Sequence, residues 1–322
     1  MSNSEPNVMI AANPKSGATE SGPKVAKLRE HLNSNGFATE VIYNLAEIAS
    51  RAPKLFEKGQ LRAVVAAGGD GTADALANLL PHNIPLQLFP LGTENLLAKY
   101  LQIRTDVEQS LDILREQRCV QMDVGLANDK VFLVMASIGF DAQVVQEMDA
   151  VRKGHIRRWS YAMPIMRAIW KYRFPQLRVS ARTSGNSAAS ETDASEPDSD
   201  LESYEPLDGS AWNFIFNVPR YAASLDFCHQ ADPLDGQLDL CQFKKSGLIW
   251  GTGYLTRLFF KSHQSMKGFQ HTRITQLRIE APEGVEVPFQ IDGDPGGVLP
   301  LTIRVLPKRI TMLVPREFTP QA

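Results

Sequence analysis

Ala63-Val64-Val65-Ala66-Ala67-Gly68-Gly69-Asp70-Gly71-Thr72 is an apolar run that breaks into three glycines around a single carboxylate. The run predicts a buried strand. Ala73, Leu76, Ala77 and Leu80 behind it fall at the i, i+3, i+4, i+7 spacing of a helix face. A strand, a tight glycine turn and a helix bring backbone N–H groups close to whatever sits above the strand end, and an anion is the natural guest there. The turn carries Asp70 and no lysine. A bare carboxylate repels phosphate unless a divalent metal stands between them. These residues therefore predict a nucleotide–magnesium site built without a Walker lysine.

Outward from this turn the same pattern repeats. Val8–Ala12 reads as a strand running into Asn13-Pro14-Lys15-Ser16-Gly17, and Val25, Leu28 and Leu32 mark the helix that follows. Thr39–Tyr43 is a second strand, and Ile48–Lys58 a helix despite Pro53. Pro85–Phe89 is a further strand, followed by the turn Pro90-Leu91-Gly92-Thr93-Glu94-Asn95. Strands alternating with helices predict a doubly wound parallel sheet covered on both faces. The turns at 13–17, 68–72 and 92–95 all follow strands, so they share the carboxyl edge where open α/β sheets bind ligands. Singly, each also reads as an ordinary connection; jointly they point to a phosphate-binding crevice.

After about residue 124 the pattern changes. Val131–Ser137, Gln176–Thr183, Trp212–Val218, Gln237–Phe243, Arg273–Glu280, Val285–Ile291, Leu299–Leu306 and Arg309–Val314 read as strands. Helices are expected at Arg158–Tyr172 and Ser246–Ser262. Runs of strands predict a second, antiparallel β-rich sandwich domain. Thr183–Ser210 holds eight acids, no base and almost no large apolar side chain, and reads as a disordered loop joining two strands. The remaining residues, 34 basic and 28 acidic, carry +6 although the whole chain is −2. Such a body suits an anionic ligand or membrane surface.

Cys119, Cys228 and Cys241 form no CxxC pair and read as small core residues of a reducing compartment. The histidines lack HxxxH or HxH spacing, which argues against zinc. Met1–Pro6 shows no basic segment followed by an apolar one, so no secretory signal is expected. The apolar run from Val131 to Phe140 is about half the length of a membrane span.

Three acidic groups could carry chemistry. Asp70 and Asp123 each end or border a strand, and magnesium needs only one or two carboxylates beside substrate phosphates. Ile291-Asp292-Gly293-Asp294 places acids at i and i+2, on one side if the strand continues. A carboxylate there could take the proton of an attacking hydroxyl, or the segment could be a solvated turn. Asp232-Pro233-Leu234-Asp235-Gly236-Gln237 reads either as a divalent-cation loop using a backbone carbonyl or as a plain turn. Arg152–Arg173 interleaves basic with aromatic residues, and Leu248–Phe260 is strongly apolar for one helix, a core element or a wall of a lipid cleft.

Taken in order, Asn13-Pro14-Lys15-Ser16-Gly17, Gly68-Gly69-Asp70-Gly71-Thr72, Pro90-Leu91-Gly92-Thr93-Glu94-Asn95, Asn217–Tyr221, Asp232–Leu238 and Ile291–Asp294 resemble motifs of the soluble diacylglycerol kinase catalytic-domain family. That family includes bacterial lipid kinases and the sphingosine and ceramide kinases. The resemblance spans roughly residues 8–315. It implies a first domain like that of NAD kinases and phosphofructokinases over 1–124, with 308–322 returning to it, and a lipid-substrate domain over 125–307. ATP would be held between the domains by Asn13, Pro14, Lys15, Ser16, Gly17, Asn44, Gly69, Asp70, Gly71, Thr72 and Thr93. Asp70 and Asp123 would organise Mg2+ at the phosphates. Asp232, Asp235 and the Gln237 carbonyl would hold a structural Mg2+. Asp294, with Asp292 beside it, would accept the proton of a lipid hydroxyl.

Three departures bear on rate and substrate: Asp294 stands where the family usually has Glu, Leu96 replaces a common Asp, and Val134 a common Asn. The expected setting is the cytoplasm with peripheral membrane association and phospholipid biosynthesis as context. No nucleic-acid partner is expected, and a homodimer is left open. A kinase for a soluble acceptor such as NAD, or an impaired nucleotide- or membrane-binding protein, are the competing readings.

Overall fold

The computed structural model describes residues 7–12, 21–151, 175–183, 204–208, 210, 212–221, 225–245 and 248–320. The chain divides into two compact units, Met1–Val124 with Leu306–Ala322, and Gly125–Val305. In the first, β1 (Val8–Ala12), α1 (Ser21–Ser34), β2 (Thr39–Ile42), α2 (Leu45–Glu57), β3 (Ala63–Gly68), α3 (Asp70–Leu79), β4 (Leu86–Pro90), α4 (Leu96–Tyr100) and α5 (Val107–Glu116) follow one another. The chain passes to the second unit within β5 (Cys119–Ala127). There it forms β6 (Lys130–Phe132), β7 (Met135–Gly139), α6 (Phe140–Val151), β8 (Arg178–Arg182), β9 (Glu205–Leu207), β10 (Trp212–Phe216), β11 (Arg220–Tyr221) and β12 (Leu225–Asp226). Next come β13 (Leu238–Phe243), α7 (Leu248–Phe259), β14 (Phe269–Ile274), β15 (Gln276–Glu280), β16 (Pro288–Ile291) and β17 (Asp294–Val298). It returns within β18 (Leu301–Leu313).

In the first unit β1 pairs in parallel with β2 and β3, β3 with β4, and Met312 of β18 with Leu86 of β4. All residues of β1, β3 and β4 are buried, as strands of a parallel sheet covered on both faces must be. The order β2-β1-β3-β4 steps both ways from β1 and β3, which puts the carboxyl ends of all four strands at one edge. Helices cover the sheet with one face each: α1 buries Val25, Leu28 and Leu32, and α2 buries Ile48, Ala52 and Leu55. Pro53 sits inside α2, so that helix continues through it.

In the second unit β14-β13-β10-β7-β16-β17 form a six-stranded antiparallel sheet. A second antiparallel group runs β18-β15-β8-β9, with β5 and β6 as a hairpin. Ile138, Ile215, Leu238, Leu240 and Ile291 from the first sheet meet Val179, Ala181, Leu277, Ile279 and Ile303 from the other in one buried core. This is a β-sandwich.

The structure redraws several expected boundaries. Val131–Ser137 is two strands, β6 and β7, because main-chain N–H groups between them turn to a carboxylate instead of a ladder. Arg273–Glu280 divides at Thr275 into β14 and β15, which belong to different sheets. Leu299–Leu306 and Arg309–Val314 are one strand, β18. Within the acidic stretch expected to lack structure, Glu205–Leu207 pairs antiparallel with β8 as β9. Glu205–Leu207 therefore belongs to the sandwich. Cys119 is exposed rather than buried, while Cys228 and Cys241 are buried as expected. The basic–aromatic run over 152–173 and the helix expected within it lie outside the described residues.

Candidate active site

In the first unit the two glycine turns interlock. A Cβ on Gly92 would fall 2.6 Å from the Gly69 Cα and 2.7 Å from Asn95 Oδ1, so only glycine lets the two main chains come this close. The Leu91 N–H donates to the Gly68 carbonyl at 2.8 Å, tying the β4 turn to the β3 turn. Asn95 adopts a left-handed conformation (φ 49°) and closes its own turn, accepting from the Gly92 N–H at 3.0 Å and donating to the Gly92 carbonyl at 2.8 Å.

Asp70 sits at the first position of α3 and reaches across to α4. Its Oδ2 accepts from the Leu96 N–H at 2.9 Å and its Oδ1 from the Leu97 N–H at 3.1 Å. A carboxylate against a helix N-terminus is a favourable charge–dipole pair. Burial nonetheless pushes the Asp70 carboxyl above its ordinary value, and the two N–H donors oppose that rise. Each oxygen spends one lone pair on the helix and keeps another. The contact to residue 96 is made by main chain, so Leu96 supports it despite lacking a polar side chain; Leu96 itself is buried.

Around Asp70, Gly71 and Thr93 are exposed and Thr72 is buried. Asn44 follows β2 at the same sheet edge, and its side chain caps α2 by accepting from the Ala46 N–H at 3.0 Å. Asn13, Pro14, Lys15, Ser16 and Gly17 lie outside the described residues. Asp123 is 1% exposed inside β5, and its Oδ1 accepts from the Lys308 N–H at 2.7 Å where β18 takes a left-handed step (φ 51°).

In the second unit Ile291-Asp292-Gly293-Asp294 is a tight hairpin. Ile291 pairs with Asp294, and both central residues have positive φ, 51° at Asp292 and 89° at Gly293, as a type I′ turn requires. The two acids therefore do not share one face of a continuous strand. Asp292 is bound to structure: its Oδ2 accepts from the Leu133 N–H at 2.8 Å, and its Oδ1 from Val134 at 3.0 Å and Met135 at 2.8 Å. Val134 contributes its main chain here while its side chain is buried. Asp294, one residue past the turn, is exposed.

Beneath the hairpin lies a network that pattern reading missed. Gln290 Oε1 accepts from the Gly293 N–H at 2.8 Å, and its Nε2 donates to Ser137 Oγ at 2.9 Å and Asp141 Oδ2 at 3.3 Å. Asp141 Oδ2 also accepts from Ser137 Oγ at 2.5 Å and Tyr221 Oη at 3.2 Å. Burial raises the Asp141 pKa, and these three donors counter it. The signal that could have found it is Gln290, a polar residue inside the apolar strand Pro288–Ile291. In a separate loop, Asp232 Oδ1 accepts from the Leu234 N–H at 3.1 Å and Asp235 Oδ1 from the Gln237 N–H at 2.9 Å. Burial raises the Asp235 carboxyl, and nearby Asp239 and Asp232 add to the rise.

Residues 7–127 match the diacylglycerol kinase catalytic domain, and residues 134–314 match the YegS C-terminal NAD kinase beta sandwich-like domain. Together these cover most of the chain, which belongs to the diacylglycerol kinase catalytic-domain family and is therefore a kinase, a phosphotransferase. Among relatives, a diacylglycerol kinase of Staphylococcus aureus strain Newman is 25% identical over 293 residues, covering 88% of this chain and 83% of that protein. An uncharacterized protein of Synechocystis sp. is 23% identical over 321 residues, covering 95% of this chain and 69% of its own. A crystal structure of a diacylglycerol kinase from Bacillus anthracis str. Sterne shares the fold with a TM-score of 0.67 at 18% identity, over 96% of this chain and 97% of that one.

Proposed function

We propose that this kinase transfers the γ-phosphoryl group of MgATP to the hydroxyl of a lipid, diacylglycerol or a related one. The observation that carries the reading is the Gly69–Gly92 contact, which holds two strand-end turns backbone to backbone with exposed Gly71 and Thr93 beside Asp70. Such a surface offers main-chain N–H groups and one carboxylate to a phosphate chain, as a nucleotide site without a lysine needs. Asn13–Gly17, Asn44, Gly69–Thr72 and Thr93 are assigned to ATP by the motifs they match.

The donor set suits Mg2+. Asp70 and Asp123 offer oxygen ligands only, and Asp70 keeps a free lone pair on each oxygen. Mg2+ bound there would neutralise charge building on the phosphates. Asp232 and Asp235, two carboxylates of one short loop, support a second, structural Mg2+ that the Gln237 carbonyl would complete. Chemically, the lipid oxygen bonds to the γ-phosphorus, the bond to the β–γ bridging oxygen breaks, and ADP leaves. The proton of the hydroxyl goes to Asp294, since Asp292 is engaged by three N–H donors and acts to position the hairpin.

A lipid acceptor and peripheral membrane contact draw support from α7. Phe259 and Phe260, at 71% and 70% exposure, and Trp250, at 40%, present aromatic surface to solvent. Among the described residues no helix is long and apolar enough to cross a membrane. The test is a radiolabelled-ATP assay over a total lipid extract in detergent micelles. A Mg2+-dependent labelled lipid is expected; label in NAD with none in lipid would replace the reading by a soluble-acceptor kinase.

A further inference from the structure

One cluster in the second unit takes no part in this chemistry. Asp239 and Cys241 lie two apart on β13 and so share a face, and Cys241 stands directly opposite His271 on β14. Directly opposed residues of an antiparallel pair also share a face. Cys228 reaches the same place from the segment after β12. The Cys228 thiol, an Asp239 oxygen and a His271 ring nitrogen all lie within 4.8 Å of one another.

This cluster is built into the fold. Cys228 and Asp239 are 1% exposed and Cys241 is 0% exposed. His271 Nε2 and Asp239 Oδ1 are 2.5 Å apart, while the buried Asp239 Oδ2 has no hydrogen-bond partner. A buried carboxylate oxygen left unpaired costs on the order of 1–3 kcal/mol, so the site has an unmet demand for a positive or donating group. Cys241, on the same strand face as Asp239 and directly opposite His271, brings a second buried sulfur to this place.

We propose that Cys228, Asp239 and His271, with Cys241 as the fourth donor, bind a divalent transition metal of the zinc class. Sulfur, imidazole and carboxylate donors suit Zn2+, whose tetrahedral bonds of about 2.0–2.3 Å set ligand atoms roughly 3–4 Å apart, so the His271–Asp239 pair parts slightly while the thiol draws in. The same donors disfavour Mg2+, which demands oxygen, so this site is chemically separate from the Asp232–Asp235–Gln237 loop. Metal binding at His271 Nε2 replaces the hydrogen bond that this nitrogen makes with Asp239 Oδ1. It ties two strands to the segment leading into that loop, a structural role independent of which acceptor is phosphorylated.

The test uses the full chain, stripped with chelator under reductant and titrated with Co2+. One Co2+ per chain is expected, with thiolate-to-cobalt charge-transfer bands, bleached by Zn2+, and a higher melting temperature with Zn2+ bound. Changes beyond the ligands themselves cost metal sites about 10–100-fold in affinity, so Cys228→Ser and His271→Gln should weaken Zn2+ by at least about 100-fold. Cys119→Ser, at an exposed cysteine of the other unit, should leave binding unchanged. Absence of the bands in the wild-type chain overturns the proposal whatever the variants do. So do bands that persist in the Cys228→Ser, Cys241→Ser double variant, or a Cys228–Cys241 disulfide in chain prepared under reductant.

Discussion

At the residue scale the two acids of Asp292-Gly293-Asp294 divide their work, and the division is measurable. Asp292→Asn sets an amide N–H against main-chain N–H donors and should lower stability by about 2–3 kcal/mol in denaturant unfolding. Asp294→Asn should melt with the wild type, bind ATP and lose turnover; full turnover would remove the base from this position. The glycines make a second contrast. Gly92→Ala should destabilise by about 1–3 kcal/mol because its methyl meets Gly69 and Asn95, whereas Gly71→Ala meets nothing within 4 Å. Gly71→Ala lies in α3 and should hold or raise the melting temperature, so any loss of ATP affinity reports the nucleotide contact. Sequence alone exposed the acids and glycines but not their roles. Sequence leaves Asp292 and Asp294 either on one face of a continuing strand or in an Asp-Gly turn, and the positive φ at Asp292 and Gly293 decides for the turn.

At the element scale, strands followed by helices were legible in the first unit because β1, β3 and β4 are unbroken apolar runs. Boundaries in the sandwich were not, since one apolar run can serve two sheets. Thr275 divides β14 from β15 without any Gly or Pro to announce it, and the gap between β6 and β7 exists because Asp292 captures the N–H groups of residues 133–135. The Gln290–Ser137–Asp141–Tyr221 network under the hairpin gives a pH signature. A carboxyl with a raised folded pKa adds stability that is full below its unfolded value, about 4, and is lost as pH rises through the folded value. Unfolding free energies across pH 4–7 should show that decline in the wild type. Asp141→Asn keeps an acceptor but cannot ionise, and should flatten it. For α7, Phe259→Ser with Phe260→Ser should weaken partition onto anionic vesicles by on the order of 10–100-fold and spare turnover of a short-chain soluble lipid. Equal losses on both substrates would place these rings in the acceptor pocket instead.

At the scale of the whole molecule, the chain forms its first unit from both ends, with Leu306–Ala322 joining Met1–Val124. Periodicity cannot reveal such a return; only the family resemblance implies it. The metal cluster shows the same limit from the other side. Cys228, Asp239 and His271 carry no ligand spacing in sequence, and only the pairing of β13 with β14 assembles them. The central claim is that an ATP phosphoryl group reaches a lipid hydroxyl. The most direct measurement incubates the full chain with γ-labelled ATP, Mg2+ and a total lipid extract, beside the Asp294→Asn variant. The account predicts a labelled phospholipid that disappears with chelator and with the variant. Label that never enters lipid, or enters it equally with Asp294→Asn, would contradict it.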